Sequence, residues 1–429
     1  MAIASKKYFL KNINNILNFV LTNQFSDFYR KKYKDQNFKI NSYENFQEIP
    51  FLEKKEIMKT ALSKFTFVHQ KKITRYMFSS GTTGKPLITA HDAPSPIIPG
   101  RVELFEKIGL KKALFLFPIN IQNDRIPALT PQVLGISGDI YNLPLMSHLT
   151  KEGSINGISS TPTILEFFIK ELGKISNFDF KQIKWVELAG EFCTKQRTEY
   201  FKEVFPSAYF DHIWGATETG GHKGYRCKHL YNETANIFHT FNNYHFLEIL
   251  GEEEGEIVHT DLYPKATTLI RYKTGDMGEI KKIDCACGNN YVIELLGRAN
   301  YDRLKIQGVI LQTEAIENSL DKIREYFKQG FKMHVYESKE ERRIMPKLKL
   351  QLILNNKNKL NEPYFKEKIT KKISENLYLS PQSTLENLVR KNIFLPLEIE
   401  FIDEWPREIK KKNIISHLNL KSIKDIPSK

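Results

Sequence analysis

The stretch FSSGTTGKPLI, residues 78–88, has the composition of a loop that holds phosphate groups. Its two glycines let the backbone turn sharply and bring N–H groups towards an anion, and its hydroxyls and lysine add further donors. The nucleotide-triphosphatase loop has the form G-x-x-x-x-G-K-[ST], in which the last hydroxyl binds Mg²⁺. Here Gly81 and Gly84 are too close together for that motif, and Pro86 replaces the hydroxyl. The sequence therefore argues against a GTPase or a simple ATPase. A surface turn rich in Ser, Thr and Gly explains the same composition.

The composition is that of a globular chain with more than one domain. A length of 429 residues exceeds one ordinary core, so two or three domains are expected. Hydrophobic residues make up 41% and charged residues 27%, which argues against disorder. The formal net charge of +14 favours an anionic partner such as a nucleotide, coenzyme A or a nucleic acid. Lysines that solvate surface helices explain the same excess.

The first segment is predicted to be an amphipathic helix and not a signal sequence. Its apolar residues recur at helical spacing, and a lysine and three asparagines interrupt any continuous apolar core. No window approaches the roughly 20 apolar residues of a membrane span. Four cysteines without a signal sequence do not indicate a disulfide framework. We therefore expect a soluble cytoplasmic protein without a membrane span.

The order of helix and strand patterns predicts an α/β protein with a smaller second domain. Residues 1–70 are predicted to be helical, and short apolar runs then alternate with helical patterns up to about residue 215. From about residue 233, alternating runs between Gly and Asn indicate antiparallel strands. We expect residues 1–298 to form a large domain of layered α/β sheets with a small antiparallel β unit. Residues 299–429 are expected to form a small α+β domain.

Five motifs follow one another along the chain: SSGTTGKP (79–86), IWGATETGG (213–221), LIRYKTGDMGEI (269–280), LGRANYDRLKIQG (296–308) and WPREIKKKNI (405–414). In order and spacing they resemble the adenylate-forming superfamily of acyl-CoA synthetases, luciferases and peptide-synthetase adenylation domains. The short length and the CACG sequence at 285–288 are similar to the phenylacetate–CoA ligase-like branch. The resemblance covers residues 45 to 420. It implies that residues 1–298 are an adenylation domain and that residues 299–429 are a mobile domain.

The resemblance implies an AMP-forming ligase that works in two steps. A carboxylic acid attacks the α-phosphorus of ATP to give an acyl-adenylate and pyrophosphate, and the thiol of coenzyme A then displaces AMP. The acyl acceptor could instead be a carrier protein, an amine or a sugar. A degenerate relative that has lost the activity is a further alternative. A nucleic-acid-binding protein would need clustered base-contacting aromatics or a known module. The sequence has neither, so no nucleic-acid partner is expected.

The resemblance assigns several residues to the phosphates and ribose of ATP. Those that would close over the β- and γ-phosphates are Ser79, Ser80, Gly81, Thr82, Thr83, Gly84 and Lys85. Thr217 would donate its hydroxyl to the α-phosphate, and Glu218 would bind Mg²⁺, because this hard ion takes oxygen ligands. Asp276 would accept hydrogen bonds from the ribose hydroxyls, and Arg298 would donate to the ribose and a phosphate.

Two further segments are assigned to the adenine ring. Ala189, Gly190 and Glu191 match the loop that packs on one face of the adenine, where small side chains permit close approach. Trp214, which Gly215 follows, is predicted either to stack on the adenine or to be an ordinary core aromatic.

The last two motifs depart from the family pattern. The run from Gly297 to Gly308 is one residue longer than usual, so the hinge between domains is assigned to Asn300 or Asp302. Lysines at 410–412 stand where the family has Gly-Lys. The spacing from the preceding Pro-Arg favours Lys411, with Lys412 as the alternative, as the lysine that stabilises charge on the attacked phosphate. A solvent-exposed run of basic residues explains the same sequence.

Three cysteines and a histidine are predicted to form a structural zinc site. Tetrahedral zinc takes four nitrogen or sulfur ligands, commonly two from each of two segments. Relatives on the phenylacetate–CoA ligase branch often hold zinc through a Cys…His pair followed by Cys-x-Cys. The resemblance therefore implies Cys227, Cys285 and Cys287 together with His239, whereas local spacing favours His229. Unrelated cysteines remain the alternative.

Overall fold

The computed structural model divides into two compact units. Residues 1–193 and 201–299 form the first unit, and residues 194–200 and 300–429 form the second. The residues that the structure describes are 6–34, 36, 38–78, 86–92, 98–117, 131–191, 193, 195–230, 236–241, 243–298, 303–328, 330–340, 343–380, 382–405 and 413–418. The predicted domain boundary after residue 298 adjoins residues outside these ranges and stays a prediction.

Helices precede and cover the sheet of the first unit, as the sequence predicts. They are α1 Lys6–Leu21, α2 Phe28–Tyr33, α3 Tyr43–Gln47, α4 Lys54–Lys59, α5 Arg101–Ile108, α6 Leu143–Glu152 and α7 Pro162–Leu172, followed by α8 Lys195–Val204, which has residues in both units. Short 3₁₀ helices span Leu62–Phe65, Gln70–Lys72, Phe180–Gln182 and Thr217–Thr219. Among the described residues, no helix is both long and apolar enough to span a bilayer.

The first unit is built on one large mixed sheet. Its strands are β3 Lys112–Leu116, β4 Leu134–Ser137, β5 Gly157–Ser160, β6 Trp185–Ala189, β7 Tyr209–Ala216, β8 Gly221–Tyr225, β9 Ile237–Thr240, β10 His245–Leu250, β11 Glu254–Asp261, β12 Tyr272–Lys282 and β13 Tyr291–Arg298, and β1 Arg75–Phe78 pairs separately with β2 Ile88–His91. The strand order is β10-β11-β12-β13-β9-β8-β7-β6-β5-β3-β4.

The sheet changes from parallel to antiparallel pairing at β7. Strands β3 to β7 pair in parallel; β5 and β6 are buried at every position, whereas the edge strand β4 is exposed or half-buried. From β7 through β8, β9, β13, β12 and β11 to β10 every pairing is antiparallel. The predicted mixed α/β class is confirmed, and the predicted antiparallel strands continue the same sheet.

The helices before residue 72 pack on the antiparallel half of the sheet. Their aromatic and aliphatic side chains form one core with β10 and β12, in which Phe46 and Tyr272 are fully buried. Arg271, whose φ is +47°, binds both carboxylate oxygens of Glu248 at 3.1 Å. Its guanidinium also donates to the carbonyl of Ile49 at 2.6 Å. This buried arginine, which directly precedes β12, thus joins the segment between α3 and α4 to β10.

The second unit is a small α+β fold. Its elements are β14 Arg303–Ile306, β15 Val309–Gln312, α9 Thr313–Asp321, β16 Lys332–Glu340, β17 Arg343–Leu352, α10 Phe365–Asn376, β18 Tyr378–Ser380, β19 Ser383–Thr384, α11 Leu385–Arg390, β20 Glu398–Phe401 and β21 Ile414–Ser416, with 3₁₀ helices at Arg324–Tyr326 and Lys357–Asn361. Four strands form a sheet in the order β20-β17-β16-β21 over one apolar core. Helix α10 begins at Phe365, directly after Tyr364, which is in a left-handed conformation.

Candidate active site and metal centre

The predicted ATP motif IWGATETGG forms the end of β7 and the tight turn into β8. A Cβ atom on Gly215 would lie 2.2 Å from the carbonyl oxygen of Gly221, so only glycine fits at this position. The turn Thr217–Thr219 follows as a single 3₁₀ turn. The carbonyl of Thr217 accepts a hydrogen bond from the hydroxyl of Thr89 at 3.4 Å. The turn lies between β7 and β8, where strand pairing in the sheet changes from parallel to antiparallel.

Glu218 is held inside this turn by a tyrosine from β12. Its side chain is buried, and its Oε1 accepts a hydrogen bond from the hydroxyl of Tyr272 at 2.7 Å. Lys265 donates to the carbonyl of Thr219 at 2.9 Å and pairs with the Asp261 carboxylate at 2.7 Å. The carboxylate that the sequence predicts for Mg²⁺ thus has a fixed support.

Asp276 lies at a second anchored position. Its Oδ2 accepts the indole N–H of Trp214 at 3.0 Å and lies 3.2 Å from the ammonium of Lys223. Trp214 packs in a core cluster with Phe238, and its ring lies 4.2 Å from the Lys223 ammonium. The structure thus places Trp214 in the core, and its stacking on adenine stays a prediction. The backbone of Arg298 pairs with that of Asp276.

The segment predicted to pack on adenine follows β6. Ala189 ends the strand, and Gly190 takes a φ of +78°, which favours glycine. The Glu191 carboxylate accepts from the hydroxyl and the backbone N–H of Thr163, at 2.6 and 3.2 Å, in the first turn of α7. Glu191 therefore ties the loop to a helix, and its contact with a nucleotide stays a prediction.

Several predicted site residues lie outside the part of the chain that the structure describes. They are Ser79, Ser80, Gly81, Thr82, Thr83, Gly84, Lys85, Asn300, Asp302, Lys411 and Lys412. The side chain of Arg298 belongs with them. Their roles stay predictions.

The structure adds site residues that the sequence did not reveal. Lys223 and Tyr272 contact the two predicted carboxylates, as described above. Asn236 donates from its side-chain amide to the carbonyl of Cys193 at 2.8 Å, which holds the segment after the adenine loop. The signal for Lys223 is its type: lysine is almost never fully buried unless it is paired, yet it occupies a central strand.

The structure brings together the four residues predicted for zinc. The ligand atoms of Cys227, His239, Cys285 and Cys287 all lie within 4.8 Å of one another. The Cys227 and Cys285 sulfurs are 3.6 Å apart, and the Cys287 sulfur is 3.3 Å from Nε2 of His239. Tetrahedral zinc with its usual bond lengths would separate two sulfurs by roughly 3.8 Å and a sulfur from a nitrogen by roughly 3.5 Å. The donor set and its spacing therefore fit zinc.

The orientation of His239 also suits a metal. Its Nδ1 is 2.9 Å from the carbonyl oxygen of Tyr291, and donation of the Nδ1–H leaves the Nε2 lone pair towards the sulfurs. Burial lowers the pKa of His239, which keeps the imidazole neutral. The alternative ligand His229 is exposed and lies outside the cluster.

The sulfurs of the cluster differ in their acidity. Burial raises the pKa of the Cys227 thiol to about 12, so a thiolate there requires a nearby cation. Burial also acts to raise the pKa of Cys285, but hydrogen bonds from the Cys287 backbone and from both neighbouring thiols lower it. A bound divalent cation would supply the charge that Cys227 needs to ionise.

Comparison with known proteins identifies the fold. No family model and no curated protein matches the sequence. A solved structure of 2-hydroxyisobutyryl-CoA ligase, in complex with 2-HIB-AMP and CoA in the thioesterification state, superimposes with a TM-score of 0.60 at 15% identity, over 96% of this chain and 89% of that chain. The same ligase in the postadenylation state with R3-HIB-AMP gives a TM-score of 0.57 at 13% identity, with the same coverage. An open conformation with 2-HIB-AMP and CoA gives 0.56 at 13% identity, over 96% and 91%.

The chain therefore has the fold of the adenylate-forming acid–CoA ligases. The predicted superfamily resemblance is confirmed at the level of the fold.

Proposed function

We propose that this protein is an AMP-forming ligase that activates a carboxylic acid with ATP and transfers the acyl group to coenzyme A. One observation carries the proposal. Trp214, four residues before Glu218, donates to Asp276, and Tyr272, four residues before Asp276, donates to Glu218. These reciprocal hydrogen bonds bring the two predicted carboxylates onto one support. Trp214 lies on β7 and Tyr272 on β12, and these two strands are not neighbours in the sheet.

In this proposal the two carboxylates bind different parts of the nucleotide. Glu218 would hold Mg²⁺, which proteins usually bind through one or two carboxylates together with substrate phosphates. The ion would neutralise charge on the phosphates. Asp276 would accept the ribose hydroxyls, as its position on a rigid strand allows. Thr217 would donate to the α-phosphate, and Lys411 or Lys412 would stabilise the charge that grows there during attack.

The remaining predicted residues would enclose the nucleotide. Residues 79–85 would cover the β- and γ-phosphates, and residues 189–191 would pack on the adenine, near Gly215. Because binding and orientation supply much of the rate in such reactions, these contacts would act by alignment.

The cysteine and histidine cluster would hold a structural zinc ion. Four protein ligands complete a tetrahedral shell and leave no position for a substrate. The ligands join the end of β8, β9 and the turn before β13. This cluster supports the finer proposal that the chain belongs with the phenylacetate–CoA ligase-like enzymes.

Pyrophosphate release from ATP and Mg²⁺ tests the proposal. The panel would contain 2-hydroxyisobutyrate and aromatic, fatty and amino acids, each with and without coenzyme A. We expect release that depends on one class of acid and accelerates with coenzyme A. If coenzyme A does not change the rate of release, the acceptor of the acyl group would instead be a carrier protein, an amine or a sugar. If no acid supports release and AMP does not bind, the proposal is wrong.

The lysine assignment has its own test. Lys411→Ala should lower acyl-adenylate formation, which hydroxylamine trapping measures, while Lys410→Ala retains it. Loss in Lys412→Ala alone would move the role to Lys412.

A further inference from the structure

Lys223 is a lysine in the middle of a sheet. It lies on β8, between β7 and β9, and its side chain has no solvent exposure. A strand in this position ordinarily carries apolar residues on both faces, and a buried ammonium is costly unless an anion compensates it. The position therefore needs a reason beyond packing.

Asp276 supplies the compensating charge. The Lys223 ammonium lies 3.2 Å from its Oδ2, and the Trp214 indole N–H donates to the same oxygen at 3.0 Å. Both donors thus act on one oxygen and fix the direction of the carboxylate. The Asp276 side chain is 14% exposed, so it reaches the surface that the wholly buried lysine does not.

Further contacts restrain both the backbone and the side chain of Lys223. Its carbonyl oxygen lies 2.9 Å from Nε2 of His245, a buried histidine on β10. Burial lowers the pKa of His245 to about 3, so the ring is neutral and can donate. The ammonium also lies 4.2 Å from the centre of the Trp214 ring, a cation–π distance. Backbone and side chain are therefore both restrained.

We propose that Lys223 is a positioning residue that orients the Asp276 carboxylate to accept the ribose hydroxyls of the bound nucleotide. This inference rests on the proposed function, in which Asp276 binds ribose. Without the ammonium, the carboxylate would lose a donor that holds its Oδ2 in place and would turn away from the ribose. This change removes an acceptor from the ribose and leaves the adenine and phosphate contacts in place.

The test compares the dissociation constants of AMP and 2′,3′-dideoxy-AMP. Hydrogen bonds to a charged acceptor are worth about tenfold or more in affinity, so the unaltered protein should bind AMP at least about tenfold more tightly than the dideoxy analogue. In Lys223→Met this ratio should fall below about threefold, as it should in Asp276→Asn. Affinity for the dideoxy analogue itself should change little, which a general loss of structure would not produce.

Matched variants separate this role from a structural one. Lys32, which pairs with Glu56 at 2.6 Å and is 12% exposed, provides the control Lys32→Met, and this variant should keep the full ratio. If Lys223→Met does not fold, Lys223→Gln and Trp214→Phe carry the test, since each weakens a donor to Oδ2 among the described residues. Both should lower the ratio.

The outcomes distinguish the two proposals. A ratio that collapses in Asp276→Asn but stays at the unaltered value in the Lys223 variants would overturn the inference and leave the proposed function standing. No preference over the dideoxy analogue in the unaltered protein would overturn the inference and the assignment of Asp276 to the ribose. No binding of AMP at all would overturn the inference and count against the proposed function.

Discussion

Acidification should destabilise the first unit through histidines that are buried and neutral. His91 and His245 are 3% and 5% exposed, and burial lowers the pKa of each to about 3. An unfolded histidine has a pKa near 6.5, so the unfolded chain takes up these protons first as the pH falls. The stability is therefore complete above about pH 6.5 and is lost progressively towards pH 3. From pH 7.5 to 5.0 each histidine should cost about 2 kcal/mol, or about 4 kcal/mol for the pair.

The variant His245→Gln isolates one of these contributions. Its amide can still donate to the Lys223 carbonyl, but it cannot take up a proton. Hydrogen exchange of peptides covering residues 245–261 would report the opening free energy of this region at both pH values, without assuming two-state unfolding of the whole chain. The loss between pH 7.5 and 5.0 should be about 2 kcal/mol smaller than in the unaltered protein.

The control is His148→Gln on the exposed surface of α6. It should keep the full pH dependence, because this imidazole stays in water on folding. If His245→Gln loses as much stability on acidification as the unaltered protein, the histidine does not resist protonation and the reasoning fails.

Three other changes test the site and its supports. Cys285→Ser should reduce bound zinc, measured by inductively coupled plasma mass spectrometry, from about one per chain to near zero, whereas Cys193→Ser should retain it. Gly215→Ala forces a Cβ to 2.2 Å from a carbonyl oxygen and should lower pyrophosphate release about 100-fold. Arg271→Met leaves buried Glu248 without its guanidinium and should lower the free energy of unfolding by about 3–5 kcal/mol in thermal unfolding.

Each of these has a contrasting outcome. Zinc retained in Cys285→Ser would remove this thiol from the ligand set. The control for Gly215 is Gly173→Ala, where the nearest atom to a Cβ is 3.5 Å away, and equal activity of the two alanine variants would contradict the steric argument. Lys31→Met breaks a pair with an exposed lysine and should cost less than about 1 kcal/mol, so an equal cost in Arg271→Met would show that burial does not decide the effect.

Local patterns predicted the elements of the fold, but sheet order determined what meets at the site. The sequence indicates strands in the runs at residues 208–215 and 269–280, and motif order marks Glu218 and Asp276. It does not show that Trp214 donates to Asp276 and Tyr272 to Glu218, because three strands lie between β7 and β12 in the sheet. Lys223 was missed for the same reason, since its partner lies 53 residues further along the chain.

The choice between two histidines for the metal cluster shows the same limit. Spacing along the chain favours His229, whereas His239 joins the cysteines because β9 pairs with β13, with Phe238 opposite Ile293. This pairing also places the Tyr291 carbonyl beside the imidazole. These contacts join residues far apart in the chain, 48 positions for His239 and Cys287 and 52 for His239 and Tyr291, which no local pattern encodes.

The packing of the first helices on β10 and β12 has a consequence for the protein during its synthesis. Tyr29 reaches its hydrogen-bond partner Thr268 across 239 residues, and the Arg271 guanidinium reaches the Ile49 carbonyl across 222. At ribosomal rates of about 5–20 residues per second, the aromatic face of the helical segment waits roughly 10–50 s for its partners to emerge. During that interval the nascent chain presents a surface for chaperones. The same dependence means that fragments ending before residue 246 should aggregate when they are produced alone.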